Sequence, residues 1–199
     1  MPQGRRIQTK RRIVPTLDAF VAHEDIEPSL EWQREIEIAL RSMHALVALI
    51  TSDFHASEWT DQEVGWAFGR SLPVIPAFLG VDPYGFVGKL QGVSGSLDKT
   101  YDLAYSIIDA LLINHQTHGE MRRALVSAFA EATSYSMAIA ISKHVVKVTD
   151  FTEEEKDALK KACKENSQVA GAFGVSDVIY NSFGKPPAPK EKKTDDVPF

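Results

Sequence analysis

Two kinds of segment alternate along the first half of the chain. Short, mainly apolar runs occur at residues 17–22 (LDAFVA), 45–50 (ALVALI) and 73–79 (PVIPAFL). The second run has no polar alternation, which is typical of a strand that is covered on both faces. Between the runs, apolar residues recur three and four positions apart, which predicts one helix after Ser29 and another from Thr60 to Phe68. The alternation of strands and helices predicts an α/β domain with a parallel sheet.

Proline and helical spacing refine this picture. The third apolar run contains Pro73 and Pro76, which favour a strand at the edge of the sheet because proline has no N–H to donate. Residues 101–113 and the alanine-rich residues 121–140 predict helices, and Thr152 with Glu155 predicts a capping box that opens a further helix. We therefore divide the chain into a basic flexible leader (1–15), an α/β domain (16–97), a helical region (98–183) and a disordered tail (184–199).

Composition and charge exclude several classes of function. The formal net charge is −5, so the chain lacks the basic field of a nucleic-acid-binding protein. It has one cysteine and no apolar run of about 18 residues, so we expect no internal disulfide and no membrane span. Its six histidines and single cysteine show no metal-ligand spacing, and no glycine-rich phosphate loop occurs. We predict a cytoplasmic protein without a bound metal, a cofactor, a nucleic-acid partner or a membrane anchor.

The candidate chemistry lies in residues 57–67 (SEWTDQEVGWA), directly after the second apolar run. Ligands of parallel α/β sheets bind beyond the carboxyl ends of the strands, and Glu63 places a carboxylate there in the first turn of a helix. Glu63 could act on a ligand or form a capping box with Thr60. Trp59 could stack on a ligand ring or pack as a hydrophobic staple at the helix entry. Trp32 and Trp66 have apolar helical spacing, which favours packing in the core.

Three segments, in this order, resemble the bacterial branch of TIR (Toll/interleukin-1 receptor-like) domains. Residues 20–28 (FVAHEDIEP) with 32–36 (WQREI) are similar to the second strand, its loop and the next helix. Residues 57–63 (SEWTDQE) are similar to the S-x-W-x-x-x-E signature of TIR domains that cleave NAD⁺, and residues 74–86 to the fourth strand and its loop. The resemblance covers about residues 17–97. It implies a flavodoxin-like parallel sheet that is shortened at the N-terminus, because no counterpart of the first strand and helix precedes the second strand.

This resemblance also implies an activity and a site. Glu63 would be the catalytic carboxylate of an enzyme that hydrolyses or cyclises NAD⁺ with release of nicotinamide, and NAD⁺ would be a substrate rather than a cofactor. The residues that would bind the substrate are Trp59, Asp25, Ile26, Glu27 and Trp32. Self-association through the TIR-like and helical regions is implied as well, in immune-type defence of bacteria against phage.

Two other interpretations stay open. The chain could be a non-catalytic interaction module that acts through TIR–TIR contacts, or is inactive because its first strand and helix are missing. It could also be a plain flavodoxin-like regulatory domain. The sequence favours that last class least, because its strand ends carry no acidic phosphoacceptor cluster with a later lysine.

Overall fold

The computed structural model describes residues 10–14, 17–20, 30–54, 56–57, 59–82 and 84–185. The chain divides into two compact units, Met1–Ala128 and Phe129–Phe199. The first unit contains β1 (Lys10–Val14), β2 (Leu17–Phe20), α1 (Leu30–Ser42), β3 (Leu46–Ile50), α2 (Thr60–Gly69), β4 (Val74–Phe78), β5 (Val93–Ser94), α3 (Thr100–Ile113) and most of α4 (His118–Ala130). The second contains α5 (Tyr135–Val145), α6 (Glu153–Glu165), α7 (Ser167–Ala170) and α8 (Val175–Phe183). The predicted tail lies outside the described residues from 186 onward.

The parallel sheet has the order β3-β4-β5, and α2 connects β3 to β4. All five residues of β3 pair with β4, from Leu46 opposite Val74 to Ile50 opposite Phe78. Helix α3 packs on β4 and β5, and α2 packs on β3 and β4. The predicted α/β domain with a flavodoxin-like parallel sheet and a helical C-terminal region is confirmed.

Strand β4 lies between β3 and β5, so the prediction of an edge position from its prolines is wrong. Leu79 N–H donates to Ile50 O, whereas Phe78 O accepts from Gly95 N–H. The backbone groups of successive residues along β4 therefore point alternately toward β3 and toward β5. By this alternation Pro76 faces the β5 side. Pairing with β5 begins only one residue later, at Ala77 opposite Val93. Pro76 is therefore tolerated inside the sheet, because its missing N–H precedes the β4–β5 ladder.

The first two strands form a separate antiparallel sheet. Arg11 pairs with Ala19 and Arg12 with Asp18, and the register shifts between Arg12 and Val14. Lys10–Val14 is thus a strand in the segment that we assigned to a flexible leader. Leu17–Phe20 is a strand as predicted, but its partner is β1 and not a strand of the parallel sheet. A basic run can form a strand when its neighbour supplies the ladder, which composition alone does not reveal.

The core below the carboxyl end of the sheet is built by one residue cluster: Ala48, Ile50, Phe54, Val64 and Val87. These side chains come from β3, the loop after it, α2 and the turn after β4. Their burial fixes α2 on the sheet, because Val64 and Ala67 are the two buried positions of that helix. The start of α2 is therefore held close to the end of β3.

From the sequence we assigned residues 98–183 to a helical region. Helix α3, the first helix of that region, packs on the sheet and belongs to the first unit. The alanine-rich stretch 121–140 is two helices, since α4 ends at Ala130 and Ser134 caps α5 by accepting from Met137 N–H at 3.2 Å. The capping box of Thr152 and Glu155 is confirmed. No helix among the described residues is long and apolar enough to cross a bilayer.

Candidate functional site

The candidate site lies where β3 and β4 end. Leu79 N–H donates to Ile50 O at 3.0 Å, which joins the two strand ends. The loop after β3 folds back tightly, with Phe54 N–H donating to Thr51 O at 3.2 Å and its side chain buried in the core. Helix α2 starts directly beyond this loop. Its first turn therefore stands at the sheet edge where ligands of such folds bind.

The entry of α2 is held by Thr60 and Ser57, but not by a capping box. Thr60 Oγ1 donates to Phe54 O at 2.6 Å and to Ser57 O at 3.2 Å. Ser57 Oγ accepts a long bond of 3.4 Å from Trp59 N–H. Trp59 occupies the N-cap position with helical dihedral angles and without a capping side chain. The prediction that Thr60 and Glu63 form a capping box is wrong, because Trp59 and not Thr60 is the N-cap and the Glu63 N–H donates to the Trp59 carbonyl oxygen.

Glu63 carries a partly buried carboxyl group. Its backbone N–H donates to Trp59 O at 3.0 Å, as in a regular helical turn. Within the part of the chain that the structure describes, its side chain makes no hydrogen bond or ion pair. Loss of water around the carboxylate raises its pKa above the ordinary 4.5. A desolvated carboxyl without a structural partner, at the ligand edge of a sheet, is the pattern expected of a functional group.

Trp59 lies one helical turn before Glu63. Residues four apart in a helix share a face, so the indole and the carboxyl project from the same side of α2. Trp59 is 36% exposed, which leaves part of its ring accessible to a ligand. The structure thus brings together two of the predicted site residues, a carboxylate and an aromatic ring.

Tyr84 and Asp61 extend the site in a way that we did not predict. Tyr84 Oη donates to Asp61 Oδ1 at 2.9 Å, which ties the loop after β4 to the first turn of α2. The Tyr84 ring also packs edge-on against Phe54, with centroids 6.5 Å apart. The turn signal at residues 82–85 was visible in the sequence, but nothing in it pairs Tyr84 with a residue 23 positions earlier.

The other residues predicted to bind substrate belong to α1 and to the segment before it. Asp25, Ile26 and Glu27 lie outside the described residues, and Trp32 lies in the first turns of α1. Their contact with substrate stays a prediction. Trp66, which we expected in the core, is 37% exposed and lies under the Arg41 guanidinium at 5.7 Å. Among the described residues, no group of three or more His, Cys, Asp or Glu side chains could hold a metal ion.

Comparison with known proteins identifies the first unit. Residues 13–106 match the family model described as the TIR domain. The match starts within β1 and ends within α3, so it includes the whole parallel sheet and the helix that carries Glu63. No curated protein and no solved structure matches the chain. The chain therefore contains a TIR domain, at residues 13–106.

Proposed function

We propose that this TIR-domain protein is an NAD⁺ nucleosidase that releases nicotinamide from NAD⁺. One observation carries the proposal: Glu63 is a desolvated carboxyl with no structural partner among the described residues, on the same face of α2 as a partly exposed tryptophan. A carboxyl that served only to cap or stabilise the helix would be hydrogen-bonded or solvated. Desolvation without compensation lowers stability, so a chemical role explains this carboxyl better than a structural one.

The reaction suits an unpaired carboxylate. The bond between ribose C1′ and the nicotinamide nitrogen breaks with both electrons going to nitrogen, so nicotinamide leaves neutral and needs no proton. The ribose becomes an oxocarbenium-like cation, which the Glu63 carboxylate stabilises in a partly water-excluded setting. Water then attacks C1′ and releases one proton in hydrolysis, or an atom of the same molecule attacks in cyclisation.

The neighbouring groups would position the substrate. Trp59 offers an aromatic face to the nicotinamide or adenine ring. The Asp25–Glu27 loop and Trp32 complete the pocket in this proposal. Asp61 and Tyr84 hold the first turn of α2 against the loop after β4, and so act as positioning residues.

The raised pKa of Glu63 gives the proposal a pH signature. Only the ionised carboxylate stabilises a cation, so activity falls as Glu63 is protonated. Burial raises the pKa of Glu63, so the acid limb of kcat/KM falls at a pH above 4.5. A solvated carboxylate would place that limb at or below its ordinary value.

The test is nicotinamide release from NAD⁺ by the full-length chain at high protein concentration. Glu63→Gln keeps the shape and removes the charge, so we expect a loss of about 100-fold or more. Glu35→Gln makes the same chemical change at an exposed position of α1 and should retain activity. If wild type and Glu63→Gln release nicotinamide equally, the enzyme proposal fails. Equal inertness of both would favour a TIR interaction module.

The biological setting forms part of the same proposal. We place the protein in the cytoplasm, in immune-type signalling against phage, where it acts by NAD⁺ depletion or by a cyclic product. Self-association through the TIR-like and helical regions would bring the catalytic units together. If cleavage of NAD⁺ requires assembly, the specific activity should rise with protein concentration.

A further inference from the structure

The helical unit exposes one aromatic side chain almost completely. Phe173 is 97% exposed, in the turn between α7 and α8. Its neighbours Ala172 and Val175 are buried at 4% and 2%, and Val175 N–H donates to Ala172 O at 3.2 Å. Gly174 follows with a φ of 72°, which closes the turn. Phe173 is thus held outward on a turn anchored from both sides.

The same unit contains a cavity that Phe173 does not occupy. The cavity is open to solvent and has a volume of about 550 Å³. Three small side chains, Ala130, Ala158 and Ala162, line it together with the polar residues Lys161, Glu165, Asn166 and Ser167. Lys161 and Glu165 lie at its rim, with Nζ and Oε2 3.6 Å apart and both side chains about two-thirds exposed. Three alanines leave room for an incoming side chain, and the exposed ion pair at the rim is readily rearranged.

One charged side chain beside each feature can form an ion pair with the other. Asp177 lies in the first turn of α8, four residues after Phe173, and is exposed. Lys161 supplies a positive charge beside the cavity. Two copies of a chain with a net charge of −5 repel each other, so an interface between copies needs such local pairing of opposite charges.

We propose that Phe173 of one copy inserts into the cavity lined by Ala130, Ala158 and Ala162 of a second copy, with Asp177 facing Lys161. In the proposed contact each copy gives its turn to one neighbour and its cavity to another, so the arrangement is head-to-tail. Such contacts extend into rings or open chains. The inference rests on the proposed self-association but not on NAD⁺ cleavage.

The experiment is sedimentation velocity of the full-length chain over a range of concentrations. Wild type should form assemblies that grow with concentration. Phe173→Ala should weaken self-association about 10- to 100-fold, the range expected when a buried phenyl ring is lost. Tyr101→Ala removes another aromatic side chain, 91% exposed in the first unit, and should assemble like wild type. Ala158→Phe fills the cavity and should weaken assembly as Phe173→Ala does.

A mixture tests whether the turn of one copy enters the cavity of another. Phe173→Ala chains keep the cavity and Ala158→Phe chains keep Phe173, so the mixture should associate more strongly than either variant alone. Lys161→Glu and Asp177→Lys should each weaken assembly, whereas a chain with both changes should recover it; this pair tests the interface even if Ala158→Phe fails to fold. Assembly of Phe173→Ala at wild-type strength, or an all-monomeric mixture, refutes this interface alone. A wild type that stays monomeric refutes self-association as well, and nicotinamide release remains a separate measurement.

Discussion

Asn166 offers a sharp test of how the helical unit is held together. Its side-chain amide uses both donors and both acceptor positions. Nδ2 donates to Ala130 O at 2.9 Å and to Ala132 O at 3.0 Å, at and just beyond the end of α4. Oδ1 accepts from the N–H groups of Gln168 at 2.8 Å and Val169 at 3.4 Å, which caps α7. One residue therefore satisfies the last carbonyls of one helix and the first N–H groups of another.

Two substitutions separate these roles. Asn166→Ala loses the cap, worth about 1 kcal/mol, and two donor bonds of about 1 kcal/mol each. We expect the free energy of unfolding to fall by about 3 kcal/mol. Asn166→Asp keeps the cap, because Asp and Asn are equivalent there, but it turns an acceptor toward two carbonyl oxygens. At neutral pH it should lose about 2 kcal/mol or more.

The assay is urea denaturation of the full chain, followed by far-UV circular dichroism, which reports on the helices of both units. Asn114→Asp is the matched control. Asn114 Oδ1 accepts from Gln116 N–H at 2.9 Å, and its amide NH₂ has no partner within the described part of the chain, so Asp replaces it at little cost. If Asn166→Asp is as stable as wild type, Asn166 is only an N-cap and the link to α4 contributes nothing.

Three further predictions concern the TIR domain. A Cβ at Gly92 would clash with the Pro76 carbonyl oxygen and the Phe78 ring, so Gly92→Ala should lower the unfolding free energy by about 1–3 kcal/mol in denaturant titration. Gly65 in α2 has open space around it, so Gly65→Ala should instead raise the free energy of unfolding by about 1 kcal/mol. Equal effects of Gly92→Ala and Gly65→Ala would contradict the packing argument. Because burial raises the pKa of Glu63, the folded state loses stability as the pH rises from 4.5 through that pKa, and Glu63→Gln should unfold later than wild type at pH 7 but not below pH 4.5.

Elements with strong local signals could be predicted from the sequence. The spacing of apolar residues located α1 and α2, and the unbroken apolar runs located β3 and β4. The capping box at Thr152 was equally local, because both of its partners lie within one turn. Each of these signals is carried by residues close in sequence, where side-chain period and cap chemistry act directly.

The remaining errors share a physical cause. The position of β4 in the sheet depends on where β5 starts, and no local pattern marks a two-residue strand. The capping box at Thr60 failed because Trp59 occupies the N-cap position, which places Thr60 inside the helix, where its hydroxyl donates to the Phe54 and Ser57 carbonyls. Tyr84 reaches Asp61 only because β3 and β4 are neighbours. These features depend on contacts between distant segments, which periodicity does not encode.

The position of Pro76 has a consequence for motion within the sheet. The β3–β4 ladder runs unbroken through five residue pairs, whereas β5 joins β4 through two pairs at the carboxyl end. Releasing β5 breaks few hydrogen bonds, so local opening of the native state should begin at this strand. Such opening leaves Ile50 hydrogen-bonded to Leu79. The end of the sheet that supports Glu63 therefore stays ordered while the amide hydrogens of β5 exchange with solvent. By removing one donor, Pro76 thus separates the fluctuations of the sheet's edge from the strands that position the carboxylate.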